Sequence, residues 1–141
     1  MPAFSQRSQD RLDSCHPDLQ VIFNEIIQHT DCTIICGHRS EAEQTKAFEA
    51  RNSQVQYPNS KHNQIPSMAV AVAPYFKDIG LDWSDIKAFS VFAGVVKEVT
   101  RRLREEGRIN TYIRWGGDWD SDGRTNDQDF DDLPHFELVA G

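Results

Sequence analysis

The chain lacks the features that three broad classes of protein need. It has three cysteines, Cys15, Cys32 and Cys36, in 141 residues, and an odd count is a poor disulfide framework. Cys32 and Cys36 flank Thr33-Ile34-Ile35, a strand-like run that points both thiols to one face but leaves them too far apart to bridge. Reduced, partly buried thiols are expected, as in a protein made in a reducing compartment. Long hydrophobic runs are missing as well: no apolar stretch approaches the length that spans a bilayer. The start, Met1-Pro2-Ala3-Phe4-Ser5, carries no basic-then-apolar leader pattern. The expectation is a protein made in the cytoplasm without stable membrane association. Positive charge is also short, with 15 Lys and Arg against 22 Asp and Glu for a net charge of -7. A nucleic-acid groove needs clustered Lys and Arg, so that partner is not expected. The one basic stretch, Arg101-Arg102-Leu103-Arg104, runs at once into Glu105-Glu106 and reads as a solvated helix face.

What is present suffices for one compact domain over residues 1–141, expected as a monomer. Residues 17–28 read as a helix, with Pro17 at its first position and Leu19, Ile22, Phe23, Ile26 and Ile27 on one face. Cys32 to Cys36 reads as a buried strand. Ser40 and Glu43 form a capping box, with helix expected through Ala50. Residues 51–60 read as a polar loop, and 69–73 as a strand stopped by Pro74. The longest helix is expected from about Ser84 to Glu106, with Ile86, Phe89, Ala93, Val96, Val99 and Leu103 as its stripe. Tyr112 to Trp115 and residues 136–139 complete the strands. Helices and short strands without regular alternation give an α+β class.

A hydrolytic zinc site wants three protein ligands and one open position. No HExxH helix is present among the five histidines. His16 precedes a helix, His29 sits in a helix's last turn and His38 adjoins Arg39, all with ordinary structural roles. His62, before one strand, and His135, before another, converge only if those strands are neighbours. Spacing alone leaves that open, as it leaves open the choice between Asp131 and Asp132 as a catalytic carboxylate.

Five separated phrases in order narrow the reading: Gly37-His38-Arg39-Ser40 with Gln44; Ser60-Lys61-His62; Pro66-Ser67-Met68-Ala69-Val70-Ala71-Val72-Ala73-Pro74-Tyr75; Trp115-Gly116-Gly117-Asp118-Trp119; and Asp132-Leu133-Pro134-His135-Phe136-Glu137-Leu138. They resemble zinc peptidases of the VanY and D-Ala-D-Ala carboxypeptidase group, most of all the phage L-alanyl-D-glutamate endopeptidases, which are endolysins. The resemblance implies a small antiparallel sheet with packed helices, the DD-peptidase or Hedgehog-like fold. It implies zinc held by His62, His135 and an aspartate at position 71, where this chain has Ala71. An aspartate-to-alanine replacement that inactivates the enzyme is the expectation, and a naturally degenerate member is the alternative. The resemblance makes Asp132 the proton shuttle and Arg39 the group that steadies substrate or oxyanion. Ser60 and Gln44 support the pocket, and Trp115 and Trp119 are candidates to line it. The substrate it implies is bacterial peptidoglycan, reached after release through the inner membrane. Rival readings are a D-Ala-D-Ala carboxypeptidase and a non-catalytic wall-binding or regulatory domain.

A second metal is suggested by the residues themselves. Asp118, Asp120, Asp122 and Gly123 fall at positions one, three, five and six of an EF-hand-like calcium loop spanning residues 118–129. Arg124 would offer its backbone carbonyl, with Asn126 and Asp129 at positions nine and twelve. Aspartate rather than glutamate at the twelfth position is too short for firm bidentate binding. The rival reading is an acidic solvated loop.

Overall fold

The structure, a computed structural model, describes residues 2–140. Four helices and four strands follow one another as α1 (Gln6–Asp13), α2 (Pro17–Ile26), β1 (Cys32–Cys36), α3 (Glu41–Glu49), β2 (Ala69–Pro74), α4 (Ile86–Glu105), β3 (Tyr112–Gly116) and β4 (Asp132–Val139), with a single helical turn at Lys61–Asn63 before β2. The strands form one antiparallel sheet in the order β1-β2-β4-β3. The α+β expectation holds.

Strand alternation sends successive side chains to opposite faces, and here it sorts core from site. Ile34, Val70, Val72, Trp115, Phe136 and Leu138 enter the hydrophobic core, together with residues of α2 and α4. Phe136 meets Phe23 and Phe92 edge to face, with ring centroids 5.8 and 6.0 Å away. Truncating a core aromatic to alanine generally costs about 3–5 kcal/mol. Among the other residues of β2, β3 and β4, alternation leaves Ala71, Arg114, His135 and Glu137 for the opposite face.

The α2 stripe is buried as its spacing requires, though the helix ends at Ile26 rather than Gln28. In α4 the stripe shifts: Phe92 and Thr100 are buried, while Ile86 is 61% exposed and only opens the helix. The last strand begins at Asp132, earlier than expected, despite Pro134. Proline cannot donate to a ladder; it is accommodated because the β3–β4 register shifts between Trp115 and Gly116, so that Asp132 faces Gly116 while Phe136 faces Trp115.

Helix α1 was not legible, because it buries only Ser8 and Leu12. Its role is polar. Ser8 Oγ accepts the Ile34 N–H at 3.1 Å, and Arg11 Nη1 donates to the Ile34 carbonyl at 3.0 Å, capping the outer edge of β1. The cysteines are free, and burial pushes the Cys15 and Cys32 thiols up to about 12, so neither is a ready nucleophile or metal ligand.

Candidate active site

The site lies over the β2–β4 pair, at the centre of the sheet. In this ladder Ala71 stands directly opposite His135. The Lys61–Asn63 turn brings His62 to the same place. Ser60 fixes that turn: its hydroxyl accepts the His62 N–H at 3.1 Å, while its own N–H donates to Asn63 Oδ1 at 3.0 Å. The two imidazole centroids are 5.1 Å apart.

His62 is only 1% exposed. Its Nδ1 is 2.7 Å from the Gly37 carbonyl oxygen. A carbonyl can only accept, so Nδ1 carries the hydrogen and Nε2 an unshared pair. That Nε2 is buried without a hydrogen-bond partner among the described residues. Burial, then Arg39 and His135, hold the His62 imidazole well below its ordinary range and therefore neutral. A buried polar atom without a partner calls for an explanation.

Gly37 is required here. A Cβ at this position would lie 2.2 Å from the Arg11 carbonyl oxygen and 2.4 Å from Ser14 Oγ. Gly37→Ala is expected to destabilise the fold by about 1–3 kcal/mol, as overpacking does. It should also displace the carbonyl that orients His62. Urea denaturation, with ring-nitrogen spectra of His62, checks both effects.

Asp132 faces His135, its Oδ2 lying 3.8 Å from Nδ1. Burial pushes the Asp132 carboxyl above its usual range, against the pull of His135 and Arg39. Asp131 is exposed, accepts from Gln128 Nε2 at 2.7 Å and does not line the cavity that holds the two imidazoles. Arg39 is anchored by its backbone, whose N–H donates to the His62 carbonyl at 2.8 Å, and its Nη1 reaches Gln44 Oε1 at 3.4 Å. Gln44 is fully buried and is itself held by Ser53 Oγ and the Val55 carbonyl.

Arg39, His62, Trp119, Asp132, His135 and Glu137 line one cavity of about 400 Å³. A second, of about 510 Å³, adjoins it through Arg39 and Asp132 and includes Ala71. A larger hollow, about 870 Å³ between Tyr75, Phe76 and α4, has no histidine in its lining. Trp119 is a wall of the site, its ring 5.4 Å from that of His135. Trp115 is not: it is 4% exposed, belongs to the core, and its indole N–H donates to the Leu133 carbonyl at 2.7 Å. His16 caps α2 by accepting the Asp18 N–H at 3.0 Å, and neither His29 nor His38 lines either cavity.

The sequence reading missed Glu137, Lys61 and Arg114. Glu137 Oε1 is 2.8 Å from His135 Nε2, and its Oε2 takes Arg114 Nη2 at 2.6 Å and Lys61 Nζ at 3.3 Å. Burial pushes the Glu137 carboxyl up, but His135 and Arg114 outweigh it and bring it down to about 2. The available signal was strand alternation, which places Glu137 beside His135 on one face.

In the acidic loop, carboxylate oxygens of Asp118, Asp120 and Asp122 lie within 4.8 Å of one another, a grouping that can hold a metal ion. Asp129 stands outside it. Asp118 is 1% exposed and already occupied: it accepts the N–H groups of Asp122 and Gly123, and Lys97 Nζ is 3.4 Å away.

Two imidazoles, the half-buried Asp132 carboxylate and Arg39 thus meet around one cleft. The profile of the phage L-alanyl-D-glutamate peptidase family matches residues 2–139, and the chain belongs to that family. It is a peptidoglycan endopeptidase of the L-Ala-D-Glu type. The crystal structure of the Serratia marcescens L-Ala D-Glu endopeptidase ChiX is similar over 97% of this chain and 90% of that one, with 25% identity and a TM-score of 0.70. A looser likeness, with TM-score 0.45 and 22% identity over 87% of this chain and 48% of the other, is to the vancomycin-resistance D,D-dipeptidase VanXYg in complex with a D-Ala-D-Ala phosphinate analogue. No curated protein matches the chain. The family match favours the endopeptidase over the D-Ala-D-Ala carboxypeptidase. No helix among the described residues is long and apolar enough to cross a membrane.

Proposed function

We propose that His62 and His135 are two ligands of a catalytic zinc ion, that Ala71 occupies the place of the third, and that this chain is therefore impaired in hydrolysing the L-alanyl-D-glutamate bond. The observation that carries the reading is the buried, unpartnered His62 Nε2 beside the His135 ring. Two imidazoles fit the metal, but alanine offers no donor atom. Support for the vacated position is its place opposite His135 and beside the cavity shared by Arg39 and Asp132. Bound zinc would supply Lewis acidity to the scissile carbonyl.

The remaining work falls to this chain's own side chains. Asp132, whose carboxyl is raised by burial, takes a proton from the attacking water and returns it to the leaving amine. Arg39 steadies negative charge on the carbonyl oxygen, a duty suited to a guanidinium whose orientation Gln44 limits. Ser60 holds the His62 turn, and Trp119 shields the His135 side from water. The enzyme would act on the wall after release from the cytoplasm through the inner membrane.

The test is product analysis on purified peptidoglycan with zinc and the Ala71→Asp chain. New amino-terminal D-glutamate is the expected product. Release of terminal D-alanine alone would reject the assignment. Zinc uptake without cleavage of any wall fragment would favour the non-catalytic binding domain, the reading that Ala71 itself supports.

For the acidic loop we propose calcium, held by Asp118, Asp120, Asp122, Asn126 and Asp129 with the Arg124 carbonyl. The three clustered carboxylates support it, since a divalent cation removes their repulsion. Calcium at 100 times its dissociation constant would stabilise the fold by about 2.7 kcal/mol and quiet the segment leading to Asp132. Asp120→Asn with Asp122→Asn should abolish that gain and spare the contacts of Asp118. Thermal melts with and without millimolar calcium decide, and indifference would leave an acidic surface loop.

A further inference from the structure

We infer that Glu137 is a positioning residue for the proposed zinc centre, fixing His135 in the tautomer whose Nδ1 is free to bind metal. The inference rests on the zinc reading above only for its affinity test.

Residues two apart on a strand share a face, so β4 delivers His135 and Glu137 side by side. The contact is through Nε2, 2.8 Å from Glu137 Oε1. An ionised carboxylate has no hydrogen to give, so Nε2 must donate. In a neutral imidazole this leaves Nδ1 with the unshared pair, on the edge of the ring that faces Asp132. His62 reaches the same condition by the opposite nitrogen, because its Nδ1 is spent on Gly37. One histidine thus offers Nε2 and the other Nδ1.

Glu137 is held in turn. Arg114, its direct partner across the β3–β4 ladder, binds Oε2 through both Nε and Nη2, at 3.2 and 2.6 Å. Lys61, adjacent to His62, reaches the same oxygen at 3.3 Å and also donates to the Leu138 carbonyl. Both cations converge on Oε2, which commits Oε1 to the imidazole. The cluster ties the turn bearing His62 to the strand bearing His135. Outer partners that orient a metal-binding imidazole in this way typically contribute 10–100-fold in metal affinity.

A plain ion-pair cross-link is the competing role, and two variants separate them. In Glu137→Gln the amide oxygen remains the better partner for Arg114 and Lys61. Its N–H groups then face Nε2, which forces the imidazole proton to Nδ1. In Arg114→Gln the cross-link is weakened, but the carboxylate stays on His135. Long-range nitrogen–proton spectra of the metal-free chain, at about pH 8 where an ordinary histidine is neutral, should show His135 protonated at Nε2 in the unaltered chain and in Arg114→Gln, and at Nδ1 in Glu137→Gln. In the Ala71→Asp background, calorimetry with zinc should show a loss of about 10–100-fold for Glu137→Gln and a smaller one for Arg114→Gln. A proton on Nδ1 in the unaltered chain overturns the inference, as do equal losses of affinity in the two variants with an unchanged tautomer. If Ala71→Asp takes up no zinc, the zinc reading fails, while the tautomer result still decides the role of Glu137.

Discussion

Replacing Ala71 by aspartate should raise zinc affinity by about 10²- to 10⁴-fold, roughly 3–5.5 kcal/mol, and make the chain clear peptidoglycan suspensions much faster than the unaltered one. The gain has a specific origin. Two neutral imidazoles leave the ion's charge uncompensated, and a carboxylate opposite His135 would add both a donor and a negative charge. The backbone is already placed, because the β2–β4 ladder sets Ala71 against His135. Room exists too: Ala71 borders a cavity of about 510 Å³. The metal-free Ala71→Asp chain should melt lower than the unaltered one, since the new carboxylate shares that cavity with Asp132 and like charges there repel. Calorimetric zinc titration of the two chains, with a turbidity assay on purified walls, measures both effects. Equal zinc affinities would mean that position 71 is no ligand position.

The second large effect is expected at Asp132. In the Ala71→Asp background, Asp132→Asn should lower kcat by about 10²- to 10⁴-fold, the range for a lost general acid–base, while zinc affinity changes far less. Stability should move the other way. Burial raises the folded pKa of Asp132 above its unfolded value, so stability falls as pH rises past the unfolded pKa and the full cost is present above the folded one. Below the unfolded pKa the group is protonated in both states and the cost is gone. The metal-free asparagine variant should therefore melt higher than its parent at neutral pH, with the gap closing in acid. A variant that lost activity and stability together would mark Asp132 as a structural carboxylate.

Much of this is legible in the sequence, for physical reasons that differ by element. The face of α2 could be read because it buries a continuous apolar stripe, and that of α4 only in part, at Phe89, Ala93, Val96 and Leu103, since Ile86 is exposed and Phe92 and Thr100 are buried beside them. The capping box at Ser40 and Glu43 forms as written, with both reciprocal hydrogen bonds. Helix α1 escaped because hydrogen bonds to β1, rather than apolar spacing, hold it in place. The early start of β4 escaped because Pro134 argues against a central strand, and the local pairing irregularity that admits it has no sequence signature. His62 and His135 were recognisable from their phrases, but their convergence depended on which strands pair. Trp115 and Trp119 looked alike in sequence, and only the sheet face separated a core ring from a wall of the site. Glu137 was overlooked because in its phrase it reads as one more acidic residue, whereas its significance lies in Lys61 and Arg114, both distant along the chain.

The contacts from Ser8 and Arg11 to Ile34 bear on how an extended peptide can approach. A sheet with an open flank can lengthen by one strand, and many proteins recruit peptides that way. On the β1 side this chain cannot, because the groups at Ile34 that would receive a new strand are already taken. A stem peptide arriving from that side has no ladder to join, and in the proposed site it would be gripped across the sheet by side chains, with its scissile bond over the imidazoles. Recognition there would depend on local chemistry near the bond and little on the length of the peptide. If α1 were lost, the same flank would open to strands of other copies, and the first symptom would be self-association rather than a change in bond preference.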